Sequence, residues 1–167
     1  MDVLWAPWRK NYVVATSTSK HSDCIFCRAV QGSQNENNYV VYKSNSSIAM
    51  LNKYPYNNGH TMVAPIRHVP SPELLSDEEL LDLAKTMNII ISAIRICYNP
   101  DGINIGANIG RAAGAGIEGH LHIHIVPRWI GDTNFMAVIA HTKVIPEALE
   151  ETHSRLIKCI ERVTSEK

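Results

Sequence analysis

The sequence is low in charge and in aromatic side chains. Of its 167 residues, 19% are charged and 7% are aromatic, and 16 Lys and Arg balance 16 Asp and Glu. Because neither sign of charge is in excess, the composition gives no reason to expect a nucleic-acid partner or a membrane surface. Any site for an anion must therefore be built locally. Hydrophobic residues make up 45% of the chain, which is enough for one domain with a packed core.

Long apolar runs are also missing from the sequence. No segment reaches the roughly 18 consecutive apolar residues that a membrane helix needs. The first ten residues, Met1 to Lys10, lack the basic stretch followed by an apolar core that marks an export signal. We therefore expect a soluble, cytoplasmic protein without a membrane partner.

Cysteine is scarce, and half of it is concentrated in one place. The chain has four cysteines, and Cys24 and Cys27 form a Cys-x-x-Cys pair. In a reducing cytoplasm such residues serve metal binding or redox chemistry more often than a disulfide framework. The pair has the spacing of half a zinc site, which needs two more Cys or His ligands. Buried thiols and a redox motif remain alternative interpretations.

Hydrophobic periodicity predicts an α+β fold with an antiparallel sheet of about five strands. The longest predicted helix runs from Ser76 to Tyr98, where Ser76 and Glu79 form a capping box. A C-terminal helix is expected from about Pro146 to Val163. The predicted strands are a hairpin within 39–51, then 60–65, 103–108 and 118–126. These elements suggest an N-terminal arm and linker at 1–23, a core at 24–145 and a helix of the same domain at 146–167.

Three alternating histidines are the most informative feature. If residues 120–126 form a strand, His120, His122 and His124 line one face, while the intervening apolar residues point to the other. Three buried imidazoles need partners, because an unpaired buried polar group costs about 1–3 kcal/mol. A phosphate group, a metal ion or backbone carbonyls could serve.

A glycine-rich segment from Asn108 to Gly119 precedes these histidines. It lacks the Gly-Lys-Ser/Thr ending of a P-loop, and a glycine-rich loop alone is more often only a flexible connection. Beside three histidines, however, its backbone amides at Gly114, Ala115 and Gly116 become candidates for binding phosphoryl oxygens.

The histidines suit nucleophilic attack on phosphorus. A neutral imidazole is a competent nucleophile near pH 7, provided that its second ring nitrogen keeps a proton against an acceptor. The middle histidine, His122, is best flanked for attack, and His124 could meet the charge on the phosphoryl oxygens. The product of the first step would be a phosphoramidate on the enzyme, which water or another acceptor then releases.

The segment His120-Leu-His122-Ile-His124-Ile-Val resembles the signature of the histidine triad (HIT) superfamily. The resemblance runs from about Cys24 to Asn134 and includes Asn52-Lys-Tyr-Pro-Tyr-Asn-Asn-Gly-His60 and Met62-Val-Ala-Pro-Ile-Arg-His68. The flanks Leu4–Arg9 and Val126–Phe135 are similar to a microbial branch associated with diadenosine tetraphosphate phosphorylase or hydrolase activity.

The resemblance implies specific roles and a homodimer with a continuous sheet. By position, His122 is the nucleophile, and His124 contacts the phosphate or assists the leaving group. Asn52 binds the ribose hydroxyls, Asn108 lies on the phosphate side and His60 helps to fix the surroundings of the middle histidine. Many relatives carry a glutamine or serine side chain where this chain has Gly114-Ala115-Gly116. Zinc-bearing relatives suggest a structural zinc on Cys24, Cys27, His68 and His120.

Three other functions remain open at this point. A nucleoside phosphoramidase would use the same fold and the same nucleophile. A catalytic zinc hydrolase would use all three histidines as metal ligands. A nucleotide-binding protein with little turnover would leave the same sequence pattern.

Overall fold

The structure, a computed structural model, describes residues 24–32, 38–133, 139 and 144–165. The predicted arm and linker at 1–23 lie outside the described residues, as do Asn134 and Phe135 of the second flank. Among the described residues, no helix combines the length and the apolar character that a membrane span requires.

A five-stranded antiparallel sheet forms the centre of the described chain, which confirms the predicted α+β class. Its strands lie in the order β1-β2-β3-β5-β4, so the last two in sequence are exchanged in space. The bounds are β1 Val40–Lys43, β2 Ser47–Leu51, β3 Thr61–Pro65, β4 Gly102–Gly106 and β5 Ile123–Arg128.

Three α-helices whose bounds lie within the described ranges accompany the sheet, and they divide between its two faces. They are α1 Ile25–Gln31, α2 Asp77–Tyr98 and α3 Leu149–Ser165. Helices α2 and α3 share a core with Leu51, Val63 and Ile125, while α1 packs with Val40, Met50 and other residues of the opposite face. The long helix begins as expected, because Ser76 and Glu79 make both hydrogen bonds of the capping box. Helix α1 was not predicted, since seven residues are too few for a clear period.

The histidine strand begins later than predicted. β5 starts at Ile123, so His120 and His122 precede it. Its pairing with β3 ends at Val63 and Ile123, and the chain before β5 bonds elsewhere, with the amide of Leu121 donating to the carbonyl of Val69 at 2.6 Å. The alternation of faces is nevertheless kept, because Leu121, Ile123 and Ile125 all join the core beneath α2.

Two cysteines form a disulfide, contrary to the expectation that all four serve metal or redox chemistry. Cys97 near the end of α2 and Cys159 in α3 are bonded, with their Cα atoms 6.1 Å apart. They are 62 residues apart in sequence, and only the packing of the two helices brings them together. Cys24 and Cys27 remain thiols, as expected for a metal-binding pair.

Candidate functional site

The position of the His122 proton follows from a backbone hydrogen bond. Nδ1 of His122 lies 2.8 Å from the carbonyl oxygen of His120, which can only accept, so Nδ1 carries the proton. The neutral ring therefore keeps its lone pair on Nε2. Burial lowers the pKa of His122 below its usual value, although the hydrogen bond to His120 opposes this shift. At neutral pH, His122 is an uncharged imidazole with a nucleophilic Nε2.

A second chain of hydrogen bonds fixes the ring of His124. The backbone amide of Tyr56 donates to Nδ1 of His60 at 3.0 Å, which places the proton of neutral His60 on Nε2. His60 Nε2 lies 2.9 Å from Nδ1 of His124, so it donates there and leaves the proton of neutral His124 on its own Nε2. His124 is thereby held as a hydrogen-bond donor, whereas His122 is held as a nucleophile.

His60 is hydrogen-bonded to His124, the third of the three alternating histidines. The resemblance implied that it helps to fix the surroundings of the middle histidine, and that role stays a prediction. Tyr56 adds to this arrangement through its ring, which stacks on His60 with centroids 4.7 Å apart and planes inclined by 20°. The preceding Gly59 has a φ of +72°, and a Cβ there would lie 3.2 Å from Tyr98. A glycine is required at this turn into His60.

The four residues predicted to bind zinc come together. The ligand atoms of Cys24, Cys27, His68 and His120 all lie within 4.8 Å of one another, so the cluster could hold a metal ion. Two thiols and two imidazoles form a donor set of the kind found in structural zinc sites. The spacing before His120 is tight, because a Cβ on Gly119 would approach the ring of His68 to 2.8 Å.

The hydrogen bonds of His120 favour a ligand role. Its Nε2 lies 2.8 Å from the carbonyl of Pro65 and must donate to it, so Nδ1 is the unprotonated nitrogen that faces the thiols. Burial, and then the neighbouring Cys24, raise the pKa of the Cys27 thiol to about 11. A thiolate at this position requires a nearby cation, which a bound metal ion would supply.

Phe26 connects the cluster to the nucleophile. Its ring is fully buried and lies 5.0 Å from the ring of His120 and 5.2 Å from that of His122, measured between centroids. Because Phe26 is part of helix α1, between the two cluster cysteines, metal binding and the position of His122 depend on the same short helix.

Two of the three loop amides that were expected to bind phosphate donate to backbone carbonyls within the loop. The amide of Gly114 donates to the carbonyl of Arg111 at 2.9 Å, and that of Ala115 donates to Gly110 at 3.3 Å. Asn108 reaches across the loop, where its Nδ2 donates to the carbonyl of Gly114 at 3.3 Å. In this conformation, Gly116 is the one of the three proposed amides without a backbone acceptor among the described residues.

A cleft of about 460 Å³ opens beside His124 and Asn108. Tyr56, Asn57 and Arg128 contribute to its walls. The predicted ribose ligand, Asn52, lies at the turn after β2, where its amide donates to the carbonyl of His60 at 2.9 Å and its Oδ1 accepts from the amide of Tyr54 at 2.9 Å. The structure thus brings His122, His124, His60 and Asn108 to one region, with Asn52 bonded to His60 at its edge.

Sequence reasoning missed Tyr56, Phe26 and Asn57. Asn57 is buried, and its Nδ2 donates to the carbonyl of Pro127 at 3.0 Å and to Asp132 at 2.7 Å. It thereby fastens the loop before His60 to the end of β5. Phe26 was recognisable as the aromatic residue inside the Cys-x-x-Cys motif of a predicted metal site. The role of the Tyr56 amide could not be predicted from residue type, because every residue except proline has a backbone amide.

Comparison with known proteins identifies the family to which the chain belongs. The model of the HIT domain family matches residues 33–129, more than half of the chain. The chain belongs to the HIT family. This HIT chain is 37% identical over 158 residues to the AP-4-A phosphorylase of Mycobacterium tuberculosis, with 92% of this chain and 81% of that protein covered.

Two further relatives show how widely the HIT fold is shared. The bis(5'-adenosyl)-triphosphatase of Dictyostelium discoideum is 37% identical over 89 residues, which cover 53% of this chain and 59% of that protein. A Zn-bound histidine triad family protein of Mycobacterium smegmatis superposes with a TM-score of 0.70 and 26% identity, covering 87% of this chain and 99% of that one.

Proposed function

We propose that this HIT-family chain cleaves a phosphoanhydride bond of a dinucleoside polyphosphate, such as diadenosine tetraphosphate, through a nucleotidyl intermediate on His122. The observation that carries the proposal is the 2.8 Å hydrogen bond from Nδ1 of His122 to the carbonyl of His120. It directs the lone pair to Nε2, and burial keeps the ring neutral at physiological pH. The names of the phosphorylase and triphosphatase relatives support this class of substrate.

In the first step, Nε2 of His122 forms a bond to phosphorus and the bond from phosphorus to the bridging oxygen breaks. Nδ1 keeps its proton, so the ring becomes a cation that the His120 carbonyl stabilises. The leaving nucleotide departs with the electron pair of the broken bond. In the second step, water or inorganic phosphate attacks phosphorus and returns His122 to its neutral form.

The hydrogen-bond chain through His60 favours an anhydride over a phosphoramidate as the substrate. His124 offers an Nε2 hydrogen to the leaving oxygen, but full transfer of that proton would need replacement from His60. Neutral His60 carries no second proton with which to replace it, because its other nitrogen accepts a hydrogen bond from the Tyr56 amide. A departing phosphate, with its last pKa of about 6, is stable without a proton at pH 7, whereas a departing amine is not.

The metal site belongs to this proposal as a structural zinc held by Cys24, Cys27, His68 and His120. When bound, zinc would join helix α1 to the chain after β3 and to the segment before β5. It would thereby fix one end of the histidine segment. His122 and His124 lie outside this ligand set, which speaks against a catalytic zinc on the three histidines.

We also propose a homodimer paired through β4. This strand forms one edge of the sheet, and nearly all of it is exposed, including Ile105 with 51% of its surface accessible. An exposed edge strand with an apolar side chain invites pairing with a second copy. Sedimentation analysis should give twice the monomer mass, and replacing Ile105 with lysine should shift it towards the monomer.

Product analysis tests the activity. The protein is incubated with diadenosine tetraphosphate, with and without inorganic phosphate, and the nucleotides are separated. ADP plus ATP formed only with phosphate identifies a phosphorylase, and AMP plus ATP without phosphate identifies a hydrolase. No turnover under either condition would contradict the proposal. Faster cleavage of adenosine 5'-phosphoramidate than of the dinucleotide would favour the phosphoramidase instead.

A further inference from the structure

A second cleft of about 610 Å³ lies beside the one that contains His124. It opens between the loop before His60, the end of α2, the turn after β5 and the beginning of α3. Residues from each element line it, among them Asn58, Tyr98, Trp129, Glu147, Glu151 and Arg155. None of these six residues has a role in the chemistry at His122.

Asn58 presents an acceptor to which nothing in the described chain donates. Its side-chain oxygen is buried and has no hydrogen-bond partner among the residues that the structure describes. Such an atom is costly to bury unless a donor reaches it. A ligand carrying an N–H or O–H group would satisfy it.

The aromatic wall of the cleft suits a planar ligand. Trp129 is half-buried, and its Nε1 is already used, donating to the carbonyl of Tyr98 at 3.3 Å. What the indole offers a ligand is therefore its apolar surface. The Tyr98 ring already has the Arg155 guanidinium 5.4 Å from its centroid. A flat ring stacked on Trp129 would gain contact without disturbing either interaction.

The charged groups of the cleft favour a hydrogen-bond donor over a phosphate group. Asp132 is paired with Arg128 at 2.6 Å and Glu147 with Arg155 at 3.2 Å, whereas Glu151 has no salt bridge among the described residues. The Glu151 carboxylate therefore repels anions and favours groups that donate hydrogen bonds. The amino group of a base and the hydroxyls of a ribose are such donors, and both are uncharged.

The two clefts meet at Asn57, which lines both of them. Beside Asn57, the ion pair of Arg128 and Asp132 joins the two clefts, because Arg128 lines the cleft of His124 and Asp132 lines the second one. A ligand with a phosphate chain between two nucleosides matches this order: reactive phosphate at His122 and His124, chain past Asn57, second nucleoside beside Trp129.

We propose that the cleft beside Asn58 and Trp129 binds the distal nucleoside of the dinucleoside polyphosphate, the one that leaves with the departing phosphates. This inference rests on the proposed function, since it assigns the second half of the same substrate. Because of the stack on Trp129 and the hydrogen bonds to Asn58 and Glu151, a ligand with two nucleosides should bind about tenfold more tightly than a ligand with one.

Binding measurements test the subsite without relying on turnover. Two ligands with methylene groups in place of the bridging oxygens are titrated by calorimetry: the diadenosine tetraphosphate analogue and the adenosine tetraphosphate analogue, which lacks the second nucleoside. The wild type should bind the first about tenfold more tightly. Trp129→Leu and Asn58→Leu should reduce this ratio towards one while leaving the affinity for the mononucleoside ligand unchanged.

Two glutamates of helix α3 provide a control for the loss of a negative charge. Glu151 lines the cleft and Glu161 does not, and both are exposed. Glu151→Gln should reduce the ratio about threefold, whereas Glu161→Gln should leave it as in the wild type. Equal affinity of the wild type for both ligands, or an unchanged ratio in all three cleft variants, would overturn the subsite. Tighter binding of spermidine than of adenosine in this cleft would overturn it as well, in favour of a cation site.

The two proposals fail in different experiments. Absence of cleavage of the natural dinucleotide contradicts the proposed function, while the binding ratio is measured with ligands that cannot be cleaved. A preserved ratio without turnover would support the subsite in a nucleotide-binding protein.

Discussion

His120 and His122 are two residues apart and both are buried, yet they bond a backbone carbonyl through different ring nitrogens. His120 uses Nε2 to hold the Pro65 carbonyl and directs Nδ1 at two thiols. His122 uses Nδ1 to hold the His120 carbonyl and keeps its lone pair on Nε2. The ring of Phe26 packs against both. The comparison teaches that the backbone carbonyl nearest each ring decides which of its nitrogens keeps the lone pair: Nδ1, facing the thiols, in His120 and Nε2 in His122.

The largest expected effect is on the nucleophile. Replacing His122 with asparagine removes the attacking nitrogen while keeping a buried polar side chain, so kcat should fall by about 10³-fold or more. Zinc content should remain that of the wild type, because His122 is not in the ligand set. Steady-state kinetics with diadenosine tetraphosphate and metal analysis provide both readouts. A variant that retained a tenth of the activity would contradict the assignment.

Zinc content, which should not change in the His122 variant, is expected to fall when a residue of the Cys/His cluster is replaced. Cys24→Ser should lower zinc content and reduce the free energy of unfolding by about 3 kcal/mol or more, since metal binding contributes directly to folding. Cys159→Ser is the matched control, because it breaks the Cys97 disulfide and should cost about 2–4 kcal/mol with zinc unchanged. Denaturant unfolding with metal analysis distinguishes the two variants. Equal zinc in both would exclude Cys24 as a ligand.

A smaller effect on catalysis is expected at His60. His60→Phe removes the donor to His124 and should lower kcat about 10²-fold. His60→Gln can restore an N–H donor and should recover about tenfold of that loss. The midpoint of the acid limb in kcat/KM should stay with His122 in both variants. If the two variants were equally inactive, the donor role of His60 would be refuted.

The smallest effect is on the pH profile. Burial lowers the pKa of His122, so its neutral form persists below the usual value of about 6.5. We expect kcat/KM to stay constant from pH 8 to about 6.5 and to fall only at lower pH. Protonation also favours the unfolded chain, in which the pKa is higher, so the free energy of unfolding should decrease as pH falls below about 6.5. An acid limb centred above pH 7 would be inconsistent with a buried neutral ring.

The sequence predicted those features that depend on local pattern. The capping box and period of α2 are properties of adjacent residues, and the alternation of histidines survives a shift in the start of the strand. Features that depend on contacts between residues distant in sequence could not be predicted. β5 starts at Ile123 because its pairing with β3 ends at Val63, and the Cys97–Cys159 disulfide exists because two helices pack together.

The candidate site divides in the same way. The cluster of Cys24, Cys27, His68 and His120 was predicted in full, because the Cys-x-x-Cys pair indicated half of a zinc site and the resemblance to zinc-bearing relatives implied the two histidines. The contact of His60 with His124 was not, since it depends on the amide of Tyr56, and every residue except proline has an amide. The amides of Gly114 and Ala115 were assigned to phosphate because the glycine-rich loop precedes the three histidines, and their hydrogen bonds within the loop could not be predicted from the sequence.

Trapping the intermediate tests the central claim most directly. The protein is mixed with diadenosine tetraphosphate labelled with ³²P in the phosphate next to adenosine, quenched in base, where phosphohistidine survives, and digested for peptide mapping. We predict label on the peptide containing His122, none in His122→Asn, and retained label in Cys24→Ser that remains folded. Label on His124, or turnover without any labelled histidine, would contradict the account.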